Sequence, residues 1–81
     1  MANKNDLQLW VVEALKELGN QGTIIQVAKI IWKNHKQDLE QSGDLFYTWQ
    51  YDVRWAGTYL RRRNLLLPAD ICPQGIWILR K

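Results

Sequence analysis

The sequence contains one cysteine, Cys72, and one histidine, His35. A single cysteine excludes an internal disulfide, and these two residues are too few for the ligands of a usual zinc site. We therefore expect no metal and no cofactor. No apolar run approaches the roughly 20 residues of a membrane span, and the first residues lack the apolar core of a signal peptide. We expect a soluble, cytoplasmic protein.

What the chain does have is a high content of apolar and aromatic residues. Of its 81 residues, 47% are hydrophobic, with five Trp, three Tyr and one Phe. A chain this short has room for one core, and each aromatic side chain can bury about 150–250 Å². We predict one folded domain over residues 1–81.

The net charge of +3 is unevenly distributed along the chain. Residues 1–44 carry five basic and six acidic side chains, and residues 45–81 carry six basic and two acidic ones. All five arginines lie in the second part. Arginine forms forked hydrogen bonds to phosphates and guanines, so the second part is the candidate surface for an anionic partner. The alternative is that these residues only solvate a surface.

Two capping patterns predict the first two helices. Asn5 followed by Gln8 resembles a capping box and opens a helix over residues 6–18. Thr23 followed by Gln26 repeats the pattern and opens a second helix. Gly22 and Thr23 could instead form a short strand. Residues 33–40 are polar and either end the second helix or extend it in an exposed form.

The third helix has two contrasting faces. An apolar seam recurs at helical spacing and consists of Trp49, Val53, Ala56 and Leu60. The opposite side carries Tyr51, Arg54, Thr58, Arg61 and Arg62, with Trp55 on its flank. The acidic Asp52 is expected off to one side. One face should pack on the core while the other presents basic and polar groups to solvent.

After Asn64 the pattern changes from helical to β-prone. Residues 65–67 and 71–72 form one apolar stretch, residues 76–79 form another, and Pro73-Gln74-Gly75 lies between them. This arrangement predicts a β-hairpin. Three helices followed by a hairpin give an α+β, mainly α fold, the winged helix-turn-helix, with the third helix for recognition and the hairpin as the wing.

The same region resembles the N-terminal domain of Mrr-type restriction proteins. That family shows a Trp-Ala-x-Thr-x-Leu helix, a Gly-Leu-Leu-like exit and a wing that closes on Gly-x-Trp. The corresponding residues here are 55–60, 64–66 and 75–77, and the likeness extends over roughly residues 46–79. Asn64 replaces the glycine of the exit, and asparagine tolerates the left-handed backbone that glycine adopts there.

The resemblance implies DNA recognition in a restriction system. In the full-length family proteins this domain precedes a nuclease domain, which has no counterpart in the 81 residues, so we expect no restriction activity. The residues independently show no catalytic pattern: His35 near Asp38 and Glu40 could suggest hydrolysis, but no nucleophile elbow or phosphate loop accompanies them. We expect a protein that is not an enzyme.

The expected partner is double-stranded DNA. Arg54 is the candidate for base contact, because it lies in the first half of the third helix, whereas Arg61 and Arg62 are placed to contact phosphates. The complete set of predicted nucleic-acid contacts is Tyr51, Arg54, Thr58, Arg61, Arg62, Gln74, Arg80 and Lys81, with Tyr47 and Gln50 as further early contacts.

The residues leave two alternatives open. Trp10, Trp32, Trp49 and Trp77 are expected in the core, whereas Trp55 could pack under the wing or border the basic face. Winged helices also bind proteins, and +3 is a mild charge for a DNA-binding domain. The alternative function is therefore a protein–protein interaction or dimerisation module, as a homodimer or as a subunit of a larger complex.

Overall fold

The structure, a computed structural model, describes residues 5–80. These residues form three helices and two strands, in the order α1 (Asp6–Glu17), β1 (Gln21–Thr23), α2 (Ile24–Glu40), α3 (Leu45–Arg62) and β2 (Ile76–Ile78). The fold is a small, mainly helical α+β fold, compatible with the winged-helix plan. None of the helices in the described part combines the length and apolar character needed to cross a membrane.

Helix α1 confirms the predicted span but not the predicted cap. Asn5 adopts helical backbone angles and its side chain makes no capping hydrogen bond, so the capping box at Asn5 and Gln8 is wrong. The apolar residues of the helix face inward, where Leu7, Val11, Ala14 and Leu15 are fully buried. Burial of this stripe, rather than a side-chain cap, is what stabilises α1.

Helix α2 begins at the predicted capping box. The Thr23 hydroxyl accepts a hydrogen bond from the Gln26 amide at 3.1 Å, and the Gln26 side chain accepts one from the Thr23 amide at 2.9 Å. The helix continues to Glu40 but is broken at His35, whose backbone angles are φ −129° and ψ 22°. Residues 33–40 therefore extend the helix, one of the two expected outcomes, and they are exposed apart from the half-buried His35 and the fully buried Leu39.

Helix α3 places its apolar seam in the core, as predicted. Trp49, Val53, Ala56 and Leu60 are all at most 6% exposed. Asp52 is also buried, which differs from the expected position off to one side, and its carboxylate accepts a hydrogen bond from the Thr48 hydroxyl at 2.8 Å. The asymmetry of the helix is therefore real, with one side packed and the other in solvent.

The sheet joins the segment between α1 and α2 to the segment that follows α3. Strand β1 pairs antiparallel with β2, with Gln21 opposite Ile78 and Thr23 opposite Ile76. This confirms the short strand at Gly22 and Thr23. Of the predicted hairpin, only residues 65–67 reach the last strand, through an isolated bridge between Leu66 and Leu79.

Residues 68–75 form turns instead of the first arm of a hairpin. The amides of Ile71 and Cys72 both donate to the Pro68 carbonyl, at 3.1 and 3.2 Å. Pro68 and Pro73 flank this segment, and neither has an amide hydrogen to donate to a strand ladder. The apolar pair 71–72 favoured a strand in the sequence, but the flanking prolines disfavour strand pairing and the prediction was wrong there.

The tryptophans divide into two groups. Trp49 and Trp77 are buried, as predicted. Trp10 and Trp32 are only partly buried and pack against the edge of the core, so their assignment to the core was only half right. Trp55 is 36% exposed and stacks on Tyr59, with 5.5 Å between the ring centroids.

Candidate nucleic-acid interface

Four of the predicted contact residues share the solvent-exposed side of α3. Tyr51, Arg54, Thr58 and Arg62 are all exposed, and we call this set the outer face of α3. Their spacings of three, four and four residues place them along one side of a helix, opposite the buried seam. Tyr51 supplies the aromatic ring of this face, with 75% of its surface exposed.

The outer face is positively charged because it carries two arginines and no carboxylate. The nearest acidic residue in the helix, Asp52, is 6% exposed and turned into the protein. The Thr58 hydroxyl donates to the Arg54 carbonyl at 3.2 Å, which leaves its oxygen able to accept a hydrogen bond. The face can therefore offer guanidinium donors, a phenol and a hydroxyl to one ligand.

Arg61 is placed differently from its neighbours. It is half-buried, and its Nε donates to the Leu67 carbonyl at 3.2 Å, which ties the end of α3 to the segment that follows. Gln74 lines the same shallow hollow as Arg61, together with Trp77. These two predicted contacts therefore lie together at the flank of α3, on the side of the turns at 68–75.

Arg80 is not brought to the outer face. It lines a different hollow together with Leu9, Glu13 and Glu17 of α1. Its backbone amide donates to the Leu65 carbonyl at 2.9 Å, which fixes the position of the chain there. Lys81, the last predicted contact, lies outside the described residues.

Sequence reasoning missed one basic residue, Arg63. It directly follows α3, and its guanidinium lies over the Tyr59 ring, 5.8 Å from the centroid. Together with Arg62 it places positive charge at the C-terminal end of α3, where the helix dipole favours cations. The run of three arginines at 61–63 was the available signal for it.

The early contacts Tyr47 and Gln50 are both exposed in the first half of α3. Gln50 lines a hollow with Arg54 and with Ile25 of α2. The N-terminal part of α2 therefore borders the outer face of α3, and a ligand on that face would also meet α2.

His35 is engaged in contacts between α1 and α2. Its ring stacks on Trp10, with the centroids 4.0 Å apart and the planes at 9°. Its Nε2 lies 2.9 Å from a Glu13 oxygen, and its Nδ1 lies 3.7 Å from a carboxylate oxygen of Asp38. Within residues 5–80, no group of three or more His, Cys, Asp and Glu side chains is arranged to hold a metal ion.

No family model, curated protein or solved structure matches the chain. The resemblance to the Mrr-type domain therefore depends on the residues quoted above, and what it implies for this chain is a proposal.

Proposed function

We propose that the protein is a winged-helix module that binds double-stranded DNA through α3 and has no catalytic activity of its own. The observation that carries the proposal is the two-sided character of α3. Its seam is buried, while Arg54 and Arg62 stand exposed on the opposite side with no carboxylate among them. A basic helix face of this kind is the usual electrostatic footprint of nucleic-acid binding.

The dimensions of α3 suit the major groove. Its 18 residues give a length of about 27 Å, and the major groove of B-DNA, about 12 Å wide, admits one α-helix. Arg54 lies near the middle of α3 rather than in its first half as expected, and in this arrangement it reaches base edges. Arg62, in the last turn, contacts phosphate and so sets position rather than sequence preference.

The segment after α3 supplies the wing in this proposal. Arg61 holds Leu67 against the helix, and the turns that follow carry Gln74 to the same flank. Gln74 is therefore the wing contact that we retain. The proposal does not depend on Arg80, which lies against α1.

The likeness to the N-terminal domain of Mrr-type restriction proteins supports the same function. Its helix motif spans residues 55–60. Within that motif Ala56 and Leu60 are buried and Thr58 is exposed, as expected for a helix with one packed and one solvent-facing side. We extend DNA recognition to this chain and leave the family's nuclease activity aside.

The test is a fluorescence-anisotropy titration of a labelled duplex at several salt concentrations. With roughly four to six phosphates neutralised, log K should fall against log salt with a slope of about −4 to −5. The double variant Arg54→Ala and Arg62→Ala should weaken binding by at least about tenfold and flatten the slope by about two.

The matched control removes the same amount of charge elsewhere. Lys16→Ala with Lys33→Ala takes two positive charges from α1 and α2, away from α3, and we expect a change of less than about threefold. Absence of binding at low salt, or equal losses in the two double variants, would show that α3 is not a DNA-reading helix.

A further inference from the structure

Helices α2 and α3 enclose an open groove beside the outer face of α3. Its volume is about 520 Å³, within the range of sites that hold side chains or small ligands. We call it the α2–α3 groove, and the residues that line it are Ile25, Ala28, Lys29, Trp32, Phe46, Trp49 and Gln50.

The floor of the groove is aromatic. The rings of Trp32 and Trp49 stack with centroids 5.9 Å apart and planes at 6°, and Phe46 lies 6.4 Å from Trp32. At one end Ile25 keeps 67% of its surface in solvent. An apolar groove with a large exposed aliphatic group at its end is typical of a surface that a partner covers.

The charges around the groove have one sign. Lys29 lines it, and the ammonium of Lys36 lies over the Trp32 ring, 5.7 Å from the centroid. The adjoining hollow adds Arg54. None of the residues that line the groove or this hollow is acidic.

We propose that the α2–α3 groove binds an acidic amphipathic segment of a partner protein, which lays large apolar side chains on the Trp32–Trp49 floor. Carboxylates of that segment then meet Lys29 and Lys36. This is the helix-in-groove mode of peptide recognition, in which apolar anchors supply most of the affinity and charges select the partner. It adds a second binding surface to the one proposed on α3.

Two features favour such a segment over other occupants. Duplex DNA presents phosphates that Lys29 at the rim can bind, but the apolar Trp32–Trp49 floor offers phosphates no partner. An uncharged or basic apolar segment would leave Lys29 and Lys36 without counter-charges from the occupant, whereas an acidic segment supplies them.

The experiment uses a synthetic peptide of about 14 residues, roughly four helical turns, built from Leu, Phe, Glu and Asp with apolar residues at helical spacing. A control peptide carries Lys in place of every Glu and Asp. The protein is titrated with each, and binding is followed by tryptophan emission and by ¹H–¹⁵N chemical shifts. We expect saturable binding of the acidic peptide only, with the largest shifts at Ile25, Lys29 and Gln50.

Single variants test the charge contact and the apolar contact of the proposal separately. Lys29→Glu and Ile25→Ser should each weaken binding of the acidic peptide by about tenfold. Both positions are exposed enough for these substitutions to leave the fold intact. Lys16→Glu makes the same charge change on α1 and should alter affinity by less than about twofold. Arg62→Ala should leave peptide affinity unchanged.

Four results would overturn the proposal. They are equal weakening by Lys16→Glu and Lys29→Glu, absence of binding, shifts that a DNA duplex reproduces at Ile25 and Lys29, and a dimer in analytical ultracentrifugation that Ile25→Ser dissolves. The third would make the groove part of the DNA surface, and the fourth would make it a contact between two copies.

Discussion

At the scale of single residues, Gly57 is a position in α3 that has no room for a side chain. A Cβ built there would lie 2.6 Å from Cη2 and 2.8 Å from Cε2 of Trp77. These atoms belong to a rigid indole that is 5% exposed, so the ring cannot move aside without disturbing its neighbours. Glycine is therefore what allows the sheet to pack directly on α3.

Gly57→Ala should destabilise the protein, even though alanine favours helices. Overpacking of a close contact costs about 1–3 kcal/mol in free energy of unfolding, which exceeds the gain in helix propensity of about 1 kcal/mol. Urea denaturation measures the change. The neighbouring variant Thr58→Ala, on the exposed side, should stay within about 0.5 kcal/mol. A Gly57→Ala protein with an unchanged midpoint would mean that Trp77 repacks freely.

The two capping patterns show what a residue motif alone can predict. Thr23 and Gln26 form the complete capping box, whereas Asn5 and Gln8 do not. The difference lies in the backbone, since Thr23 is extended at ψ 162° and Asn5 is helical at ψ −27°. Thr23 belongs to β1, whose pairing with β2 holds it extended. That pairing involves distant residues, so the local motif could not reveal it.

At the scale of elements, α1 and α2 are joined by a polar contact centred on Glu17. Its carboxylate accepts from the Asn34 side chain at 2.5 Å and from the Lys33 ammonium at 3.4 Å. The Asn34 hydrogen bond, more than the charge of Lys33, lowers the pKa of Glu17 below its ordinary value of 4.5. Both contacts favour the ionised carboxylate in the folded protein.

This contact should make stability depend on pH in the acid range. Because the folded pKa of Glu17 is below the unfolded one, its contribution is present above about pH 4.5 and is lost as the pH falls through the folded pKa. The difference in unfolding free energy between the wild type and Asn34→Ala should therefore shrink from pH 6 to pH 3. Gln37→Ala, on the exposed side of α2, should show a difference that does not vary with pH. A constant difference for Asn34→Ala would contradict the assignment.

Helical periodicity predicted α3 well but failed beyond the middle of α2. The seam from Trp49 to Leu60 follows one uninterrupted helix, so its burial could be derived from spacing alone. In α2 the break at His35 shifts the phase of the residues after it, and Leu39 becomes fully buried in a stretch that is otherwise polar. A break of this kind leaves no mark in a pattern of single residues.

At the scale of the whole molecule, the division of charge along the chain predicted which part could bind an anion. It drew attention to α3, where Arg54 and Arg62 are exposed, and anion binding by this face stays a prediction. It could not separate them from Arg61, which is held by Leu67, or from Arg80, which lies against α1. Those positions depend on how the chain returns after α3. The α2–α3 groove was missed because it depends on how two helices pack against each other, which the pattern of a single helix does not show.

The pairing of β1 with β2 also has a consequence for the order in which the elements of the protein form during folding. Since Thr23 pairs with Ile76, all of α2 and α3 lies between the two strands. Closing so long a loop is entropically unfavourable until the helices have packed, so we expect the sheet to form after the transition state.

Ile78→Ala, in β2, should then accelerate unfolding and leave the folding rate nearly unchanged, whereas Ala56→Gly, in α3, should slow folding. Stopped-flow tryptophan fluorescence over a range of urea concentrations measures both rates. A folding rate that falls as much for Ile78→Ala as for Ala56→Gly would place the sheet in the folding nucleus. With the expected order, the lifetime of the native state is governed by how long the last strand stays in place.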